Sequence, residues 1–321
     1  MEVNLYIFNS DMEKLVNKYK RFFAKVFLLF IIIVLTDQLI GNTLRYFYFK
    51  EDSGGNFQTI YSIERAKEDI LVFGSSRASH HYVPDVFEKN LKKTFFNTGR
   101  DGHYLLFNYG VLKATLSRYT PKIVIFDLRP NDLFYLKTDY DNLFSLLPFY
   151  KLHPEIRDLI NLRSSVEKIK LFSEIYPFNS ELISVILNNI RFLKKQYIIR
   201  AGYIPIYGIL NGASVNNYYS QANGIIDVNK INALKDIAAI CKMKNIVLIF
   251  ICSPIYRNDS NLKNSLEIKK IAKAYQSQFW DFENDSVFTK HPEYFEDITH
   301  LNDTGANIFS KKVAERIENL L

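Results

Sequence analysis

An uninterrupted apolar run near the N-terminus dictates where the first part of this chain can go. Residues Val26 to Leu35 are all apolar, and the run extends with few interruptions over residues 22–40. That length approaches the roughly 20 residues that a helix needs to cross a bilayer. Polar residues intrude only at Lys25, which can snorkel toward the headgroups, and at residues 36–38 near the other end. We therefore predict a transmembrane helix over residues 22–40.

The charges on either side of the run predict its orientation. Four basic residues precede it, and fewer follow: Lys14, Lys18, Lys20 and Arg21 come before, Arg45 and Lys50 after. By the positive-inside rule, residues 1–21 form a cytoplasmic tail and everything after about Gly41 is exported from a bacterial-type cell membrane. A cleaved signal peptide is a weaker alternative, because no small-x-small cleavage pattern follows Leu35. A buried core helix is a third alternative.

Composition limits the classes of protein that the rest of the chain can form. The 321 residues are 48% hydrophobic, which is enough for a sizeable core. The net charge of +7 suits an anionic surface, such as lipid headgroups, an acidic glycan or nucleic acid. No Arg/Gly-rich run, zinc-finger spacing or RNA-binding motif is present, so no nucleic-acid partner is expected. The two cysteines, Cys241 and Cys252, lack metal-site spacing and do not predict a disulfide framework.

Short apolar runs alternate with helical patterns after residue 69, which predicts a parallel sheet covered on both faces. The predicted strands are Ile70–Ser75, Thr94–Asn97, Lys122–Asp127, Ile246–Cys252 and, more weakly, Phe279–Phe282. The predicted helices between and after them are Phe107–Tyr119, Val228–Lys242 and Thr304–Leu320. We assign residues 70–321 to this α/β domain and residues 41–69 to a linker and the start of the exported part. Residues 139–227 do not alternate, and we predict that they form an inserted helical cap.

Two segments far apart in the sequence offer a nucleophile and a base. The first strand ends in Gly74-Ser75-Ser76, where the Ser76 hydroxyl would lie beyond the carboxyl end of the sheet, near helix amides that favour negative charge. Asp297 and His300 stand three residues apart just before the last helix. A carboxylate at that spacing can fix the imidazole tautomer and leave Nε2 free to activate a serine. Each feature also has a structural interpretation, with Ser76 as a helix cap and the Asp–His pair as a local capping pair.

Together these residues resemble the four sequence blocks of the SGNH (GDSL-type) hydrolase superfamily. The Ser block stands here as Gly74-Ser75-Ser76, and the last block, Asp-x-x-His, matches Asp297 and His300. The Gly block is similar to "NTGRDG", with Gly102 as the better match and Gly99 as the other. The third block, usually Gly-x-Asn-Asp, keeps Asn131 and Asp132 but has Arg129 in place of Gly. The tail "HLNDTGANIFS" is also similar to membrane-linked members that handle acyl groups on envelope polymers, such as the D-alanyl-lipoteichoic-acid and alginate-acetylation proteins.

This resemblance implies a three-layer α/β/α, flavodoxin-like fold and a serine-hydrolase mechanism without a cofactor or metal. Ser76 would be the nucleophile, His300 the base and Asp297 its orienting acid. The oxyanion hole would consist of the N–H groups of Ser76 and Gly102 with the Asn131 side chain, although Asn131 also fits a plain turn. Arg77, Arg129 and His103 are the further candidates for substrate contacts. His80 and His81 follow the serine too closely to act as its base, and we expect them to be surface or supporting groups.

The expected function is that of a membrane-anchored serine esterase or O-acyltransferase. Its substrate would be an acyl ester, most simply an acetyl ester, on a surface glycan or envelope polymer. The alternative from another class is a degenerate SGNH-like domain that binds glycan or scaffolds a membrane-bound acyltransferase without catalysis.

Overall fold

Five parallel strands form one sheet in the computed structural model, which describes residues 2–190, 200–210, 224–256 and 262–321. The strands are β1 (Ile70–Phe73), β2 (Phe95–Asn97), β3 (Ile123–Asp127), β4 (Val247–Cys252) and β5 (Gln278–Asp281). Their spatial order is β2-β1-β3-β4-β5, and every neighbouring pair is parallel. Each of the five predicted runs contains or overlaps one strand, so the predicted α/β class with a parallel sheet is confirmed.

The apolar character of the strands follows from burial on both faces of the sheet. In β1, Ile70 and Val72 pack into the core on one face, while Leu71 and Phe73 pack into the core on the other. A strand with both faces covered has no polar positions to alternate with its apolar ones. This is why β1 reads as a continuous apolar run.

Helices of very different lengths cover the sheet. In chain order they are α1 (Glu2–Phe49), α2 (Gly54–Ile60), α3 (Ser76–His81), α4 (Pro84–Leu91), α5 (Leu105–Arg118), α6 (Lys137–Asp141), α7 (Arg157–Asn161), α8 (Glu167–Lys170), α9 (Leu182–Asn189), α10 (Val228–Met243), α11 (Leu262–Ala274), α12 (Ser286–Thr289) and α13 (Asp303–Glu318). A π-helical turn, Tyr61–Arg65, follows α2, and 3₁₀ turns cover Pro130–Leu133, Asn142–Phe149, Pro154–Ile156, Tyr176–Phe178 and Pro292–Tyr294. Helices α5, α10 and α11 lie on one face, and α3, α4 and α13 on the other.

Helix α1 carries the apolar run and is longer than the predicted span. A window within Met12–Phe49 is long and apolar enough to cross a membrane, and none of that window is buried in the protein. The helix does not end at residue 40 but continues without a break to Phe49.

The stretch predicted as a linker and the start of the exported part is folded against the α/β domain. Beyond α1, helix α2 and the π-helical turn bury Ile60 and Ile63 in the core beside α5. Tyr48, near the end of α1, is fully buried in the same cluster. Among the polar residues of this stretch, a few apolar residues recur at helical spacing, and their side chains pack inward.

The predicted cap consists of short helices and 3₁₀ turns over its described part, and its residues 191–199 and 211–223 lie outside the described residues. Its buried side chains, among them Leu146, Phe149 and Phe178, belong to the same core cluster as α5. Much of this insertion therefore packs beside α5 and α1 as part of the main core.

Candidate active site

A tight turn places Ser76 at the carboxyl edge of the sheet. The turn follows β1 at Gly74, whose φ of +153° favours glycine. A β-carbon at Gly74 would lie 2.7 Å from the carbonyl oxygen of Asp127 and 2.8 Å from Cβ of Ala78. Ser76 is the first residue of α3 and is partly exposed. The edge where it lies is the point at which the strand order reverses between β1 and β3, where parallel sheets usually bind ligands.

The structure brings Ser76 and His300 together across 224 residues of sequence. The Oγ atom of Ser76 lies 2.7 Å from Nε2 of His300, which is hydrogen-bond distance. His300 lies in the loop just before α13, with 23% of its side chain exposed. A proton can therefore pass directly from the serine hydroxyl to the imidazole.

Asp297 fixes the orientation of His300. Its Oδ2 atom lies 2.7 Å from Nδ1 of His300, and its Oδ1 atom accepts hydrogen bonds from the backbone N–H groups of Thr299 and His300 at 2.7 and 2.9 Å. Burial would raise the pKa of Asp297, but the hydrogen bonds from His300 and Thr299 outweigh it and hold this pKa well below its usual value. The ionised carboxylate requires a donor at Nδ1, so Nε2 carries the lone pair that faces Ser76.

His81 contacts the loop of His300 from the helix that begins with Ser76. Its Nε2 atom accepts a hydrogen bond from the backbone N–H of Leu301 at 2.9 Å, so Nδ1 carries the proton and donates to Ser253 Oγ at 3.0 Å. Burial lowers the pKa of His81 well below its ordinary value, which keeps the ring neutral. His81 is thus buried and supporting, as one of the two expected alternatives had it.

His80 and Asp101 form a second pair of titratable side chains near His300. His80 Nδ1 donates to the carbonyl of Ile204 at 2.7 Å, and its Nε2 lies 3.3 Å from Oδ2 of Asp101. Burial would lower the pKa of His80, but the hydrogen bond and charge of Asp101 outweigh it and raise that pKa. The rings of His80 and His300 are perpendicular, with centroids 5.7 Å apart. The i, i+4 spacing of Ser76 and His80 is the sequence signal that places both on one side of α3.

The oxyanion-hole candidates lie in loops that follow β2 and β3. Gly102 has φ +71° and open space around its α-carbon, whereas Gly99 packs tightly against Ala78 and Ser79. Asn131 lies in the 3₁₀ turn after β3, and its Oδ1 atom is buried without a hydrogen-bond partner among the described residues. The preference for Gly102 over Gly99 is consistent with this packing, and the oxyanion roles of Gly102 and Asn131 stay predictions.

Arg77 is not placed to contact substrate, contrary to the sequence-based expectation. Its side chain is 2% exposed and forms an ion pair with Asp127, 3.2 Å away, while Nη1 donates to the carbonyl of Ser253 at 3.1 Å. Glu283, 3.7 Å from Nη1, is the second carboxylate beside it. Arg77 points into the protein because the residue after Ser76 in a helix faces about 100° away from it.

The other two substrate-contact candidates differ in exposure. The Arg129 side chain is 30% exposed, its guanidinium pairs with Asp132 at 3.0 Å and lies over the Tyr104 ring, and its contact with substrate stays a prediction. His103 is buried: Nδ1 donates to the carbonyl of Asp101, and Nε2 lies 3.0 Å from Ser145 Oγ. Burial lowers the pKa of His103 to about 3. The expectation that His103 touches substrate is therefore corrected: its ring joins the Gly102 loop to the insertion.

Comparisons with known proteins give little beyond this geometry. No protein-family model matches the chain, and no curated protein matches it. Among solved structures, a protein of Streptococcus pneumonia described provisionally as a platelet activating factor is similar over 92% of this chain and 99% of its own, with 14% identity and a TM-score of 0.40. That similarity is too low to assign a family. Among the described residues, no group of three or more His, Cys, Asp or Glu is placed to hold a metal ion.

Proposed function

We propose that this protein is a membrane-anchored serine esterase or O-acyltransferase of the SGNH type. The observation that carries the proposal is the hydrogen-bonded chain from Ser76 through His300 to Asp297, with both links at 2.7 Å. Serine, histidine and acid in this relation form the constellation that activates a hydroxyl for attack on an acyl carbonyl.

The first half of the reaction forms an acyl-enzyme. Ser76 Oγ attacks the carbonyl carbon of the ester as His300 Nε2 takes the hydroxyl proton. The N–H groups of Ser76 and Gly102 and the amide of Asn131 stabilise the resulting oxyanion. The tetrahedral intermediate collapses, the acyl group stays on Ser76, and His300 gives its proton to the departing alcohol. Asp297 holds the imidazolium in place throughout.

The second half releases the acyl group. Water or a sugar hydroxyl attacks the carbonyl of the acyl-enzyme while His300 takes the proton of the attacking hydroxyl. The second tetrahedral intermediate then collapses, Ser76 Oγ leaves and recovers the proton from His300, and the acid or the new ester is released. Water gives hydrolysis, and a sugar hydroxyl gives transfer. No step needs a metal or cofactor.

The fold supports the assignment to this chemistry. The strand order 2-1-3-4-5 is the flavodoxin-like order, which the SGNH resemblance implies, and core clusters cover both faces of the sheet. The nucleophile follows β1 and Asn131 follows β3, in the order of the family's blocks.

Membrane attachment suggests the class of substrate. Residues 22–40 would lie in the bilayer with the N-terminus in the cytoplasm, which puts the α/β domain outside a bacterial-type cell. The acyl group, an acetyl group in the simplest case, would then belong to a surface glycan or envelope polymer. A membrane-bound acyltransferase is the partner that such a location favours.

A non-catalytic role is the second candidate, and two residues favour it. Ser75 replaces the usual Asp of the first block, and Arg129, paired with Asp132, replaces the usual Gly of the third. A domain altered in this way could bind glycan or scaffold an acyltransferase without turning over an ester.

Labelling with a fluorophosphonate probe separates the two candidates. The full chain in detergent should be labelled at Ser76 and should hydrolyse a small acetyl ester. Ser76→Ala and His300→Ala should each abolish turnover while the domain stays folded. Ser75→Ala is the matched control, because the Ser75 side chain makes no capping hydrogen bond. If the folded chain is not labelled by the probe, or if Ser76→Ala turns over the ester as fast as the native chain, the proposal of an enzyme is refuted. Product analysis with and without a sugar acceptor then distinguishes hydrolysis from transfer.

A further inference from the structure

Four exposed apolar side chains lie close together in sequence on the insertion. Leu162, Val166, Ile169 and Phe172 recur at spacings of four, three and three residues along α8 and the turns on either side of it. Their exposed fractions rise along the chain, from 41% and 45% to 66% and 83%. We call these four residues the apolar stripe. The opposite side of the segment is buried at Glu167 and Leu171, so the stripe is a face that the protein's own core leaves uncovered.

The most exposed end of the stripe is fastened to α1 where the apolar run ends. Ser173 Oγ, next to Phe172 in sequence, donates to Oδ1 of Asp37 at 2.5 Å. The backbone N–H of Glu174 donates to the other oxygen of Asp37 at 2.7 Å. Gly41, one turn further along α1, is so close to Glu174 that a β-carbon there would overlap it. Phe172 therefore lies beside α1 at the level where the membrane-spanning segment gives way to the domain.

The charges around the stripe suit an anionic lipid surface. Residues 162–172 hold three basic side chains and one acidic one, and Lys168 and Lys170 are exposed. Lys151 pairs with Glu174, which offsets the charge of that carboxylate close to the contact with Asp37. A short helix with one apolar side and flanking lysines is the pattern of segments that lie in the headgroup region of a membrane.

We propose that the apolar stripe inserts into the headgroup layer of the bilayer that α1 crosses, as a second membrane contact of this domain. The proposal rests on α1 spanning the bilayer and does not depend on the chemistry at Ser76. Lipid is the occupant favoured here because the stripe ends at Phe172, next to Ser173, which is hydrogen-bonded to Asp37 at the end of the apolar run of α1. A second attachment point restricts the tilt of the domain relative to the bilayer, which one membrane-spanning helix alone would leave free.

Fluorescence quenching in liposomes tests the contact on the full chain. Phe172→Cys carries an environment-sensitive dye, and the native Cys241 and Cys252 are buried. The matched site is Lys311→Cys on α13, whose side chain is 68% exposed on the opposite face of the sheet. In vesicles of phosphatidylcholine and phosphatidylglycerol, the dye at position 172 should shift to the blue and be quenched by lipids with a nitroxide near the headgroup. The dye at position 311 should stay water-like, and quenching should weaken from 172 through 169 to 162.

A charged substitution provides the complementary arm. With the dye at Ile169→Cys, the further change Phe172→Asp should reduce quenching severalfold, and Phe172→Leu should preserve it. Because Phe172 is 83% exposed, neither change threatens folding. A dye at 172 that is as water-like as one at 311 would overturn the proposal. A blue shift that appears only at high protein density, without quenching by the nitroxide lipids, would also overturn it. That result would indicate that a second copy of the chain covers the stripe. Vesicle flotation reports the insertion of α1 separately, and fluorophosphonate labelling in the same vesicles reports the state of Ser76.

Discussion

His81 accepts a hydrogen bond from the backbone N–H of Leu301, at 2.9 Å from its Nε2 atom. Leu301 follows the proposed base, His300, and His81 lies in the helix that begins with the proposed nucleophile. The two halves of the site are therefore joined by a buried contact in addition to the hydrogen bond between Ser76 and His300. In the proposed reaction His81 is therefore a positioning residue, which acts through His300 without touching substrate.

Replacing His81 should impair catalysis through His300. His81→Phe leaves the Leu301 N–H without its acceptor, and we expect kcat to fall about 10- to 100-fold, the scale of loss from a slight misplacement of a catalytic group. KM for a small acetyl ester should change little. His81→Gln puts an oxygen near the position of Nε2 and should restore most of the loss. Equal activity of the Phe and Gln variants, with folding verified by circular dichroism, would contradict this role.

Neutralising the acid should cost far more than neutralising its neighbour. Asp297→Asn removes the charge that fixes the His300 tautomer, and kcat should fall by about 10³- to 10⁴-fold. Glu296→Gln, which changes an exposed side chain one residue earlier, should leave kcat within about twofold, as expected for a screened surface charge. The comparison uses steady-state hydrolysis of a small acetyl ester, and similar rates in the two variants would exclude the proposed role of Asp297.

Arg77 should matter for stability. Arg77→Ala leaves Asp127 and Glu283 buried without their cation, and the free energy of unfolding should fall by about 3–5 kcal/mol. Arg129→Ala, at a partly exposed pair, should cost about 1 kcal/mol or less. Denaturant titration of the full chain in detergent measures both. If Arg77→Ala instead raises KM at unchanged stability, its assignment to the interior is wrong.

Two glycines with positive φ should respond differently to a methyl group. Gly74→Ala meets both backbone strain and overlap with Asp127 and Ala78, so we expect a loss of about 2–5 kcal/mol. At Gly102 the added carbon has no atom within 4 Å, and only the strain of φ +71° remains, about 1–2 kcal/mol. Gly102→Ala also keeps the N–H proposed for the oxyanion hole, so its activity should survive. Equal destabilisation by the two changes would contradict the tight turn at Gly74.

Glu51 should make stability fall as pH rises. Burial raises the pKa of this carboxyl to about 7, although hydrogen bonds from Asn188 and Asn56 oppose the rise. Below about pH 4.5 the group is protonated whether the chain is folded or unfolded, and its penalty grows as pH climbs toward 7, because the folded chain holds the proton more tightly. Glu51→Gln should therefore gain stability relative to the native chain over this window and keep that gain above it. Melting temperatures across the window give the test, and a difference that does not vary with pH would disprove the shift.

The sheet and the contact between Asp297 and His300 both leave local signals in the sequence. A strand buried on both faces must be apolar throughout, as β1 is, and the Asp-x-x-His spacing of Asp297 and His300 is closed by a short loop. The direction in which Arg77 points has no such signal. It depends on Asp127 and Glu283, which two other parts of the chain bring into the interior.

The segment after α1 shows the opposite limitation. Its polar composition is typical of a linker, yet Ile60 and Ile63 are buried against α5. Burial of this kind depends on a partner helix about fifty residues further on, which composition does not reveal. The same applies to His103, whose burial follows from Ser145 of the insertion.

The unbroken course of α1 sets the working distance of the proposed enzyme. With α1 in a bilayer, the stretch from Asp37 to Phe49 extends about 18 Å along the domain as one uninterrupted helix. Ser76 is then held at a fixed distance from the bilayer surface and cannot move far from it to reach a substrate. An ester on a mobile polymer would have to reach that distance from the membrane. The length of α1 therefore selects substrates by their position relative to the bilayer as well as by their chemistry.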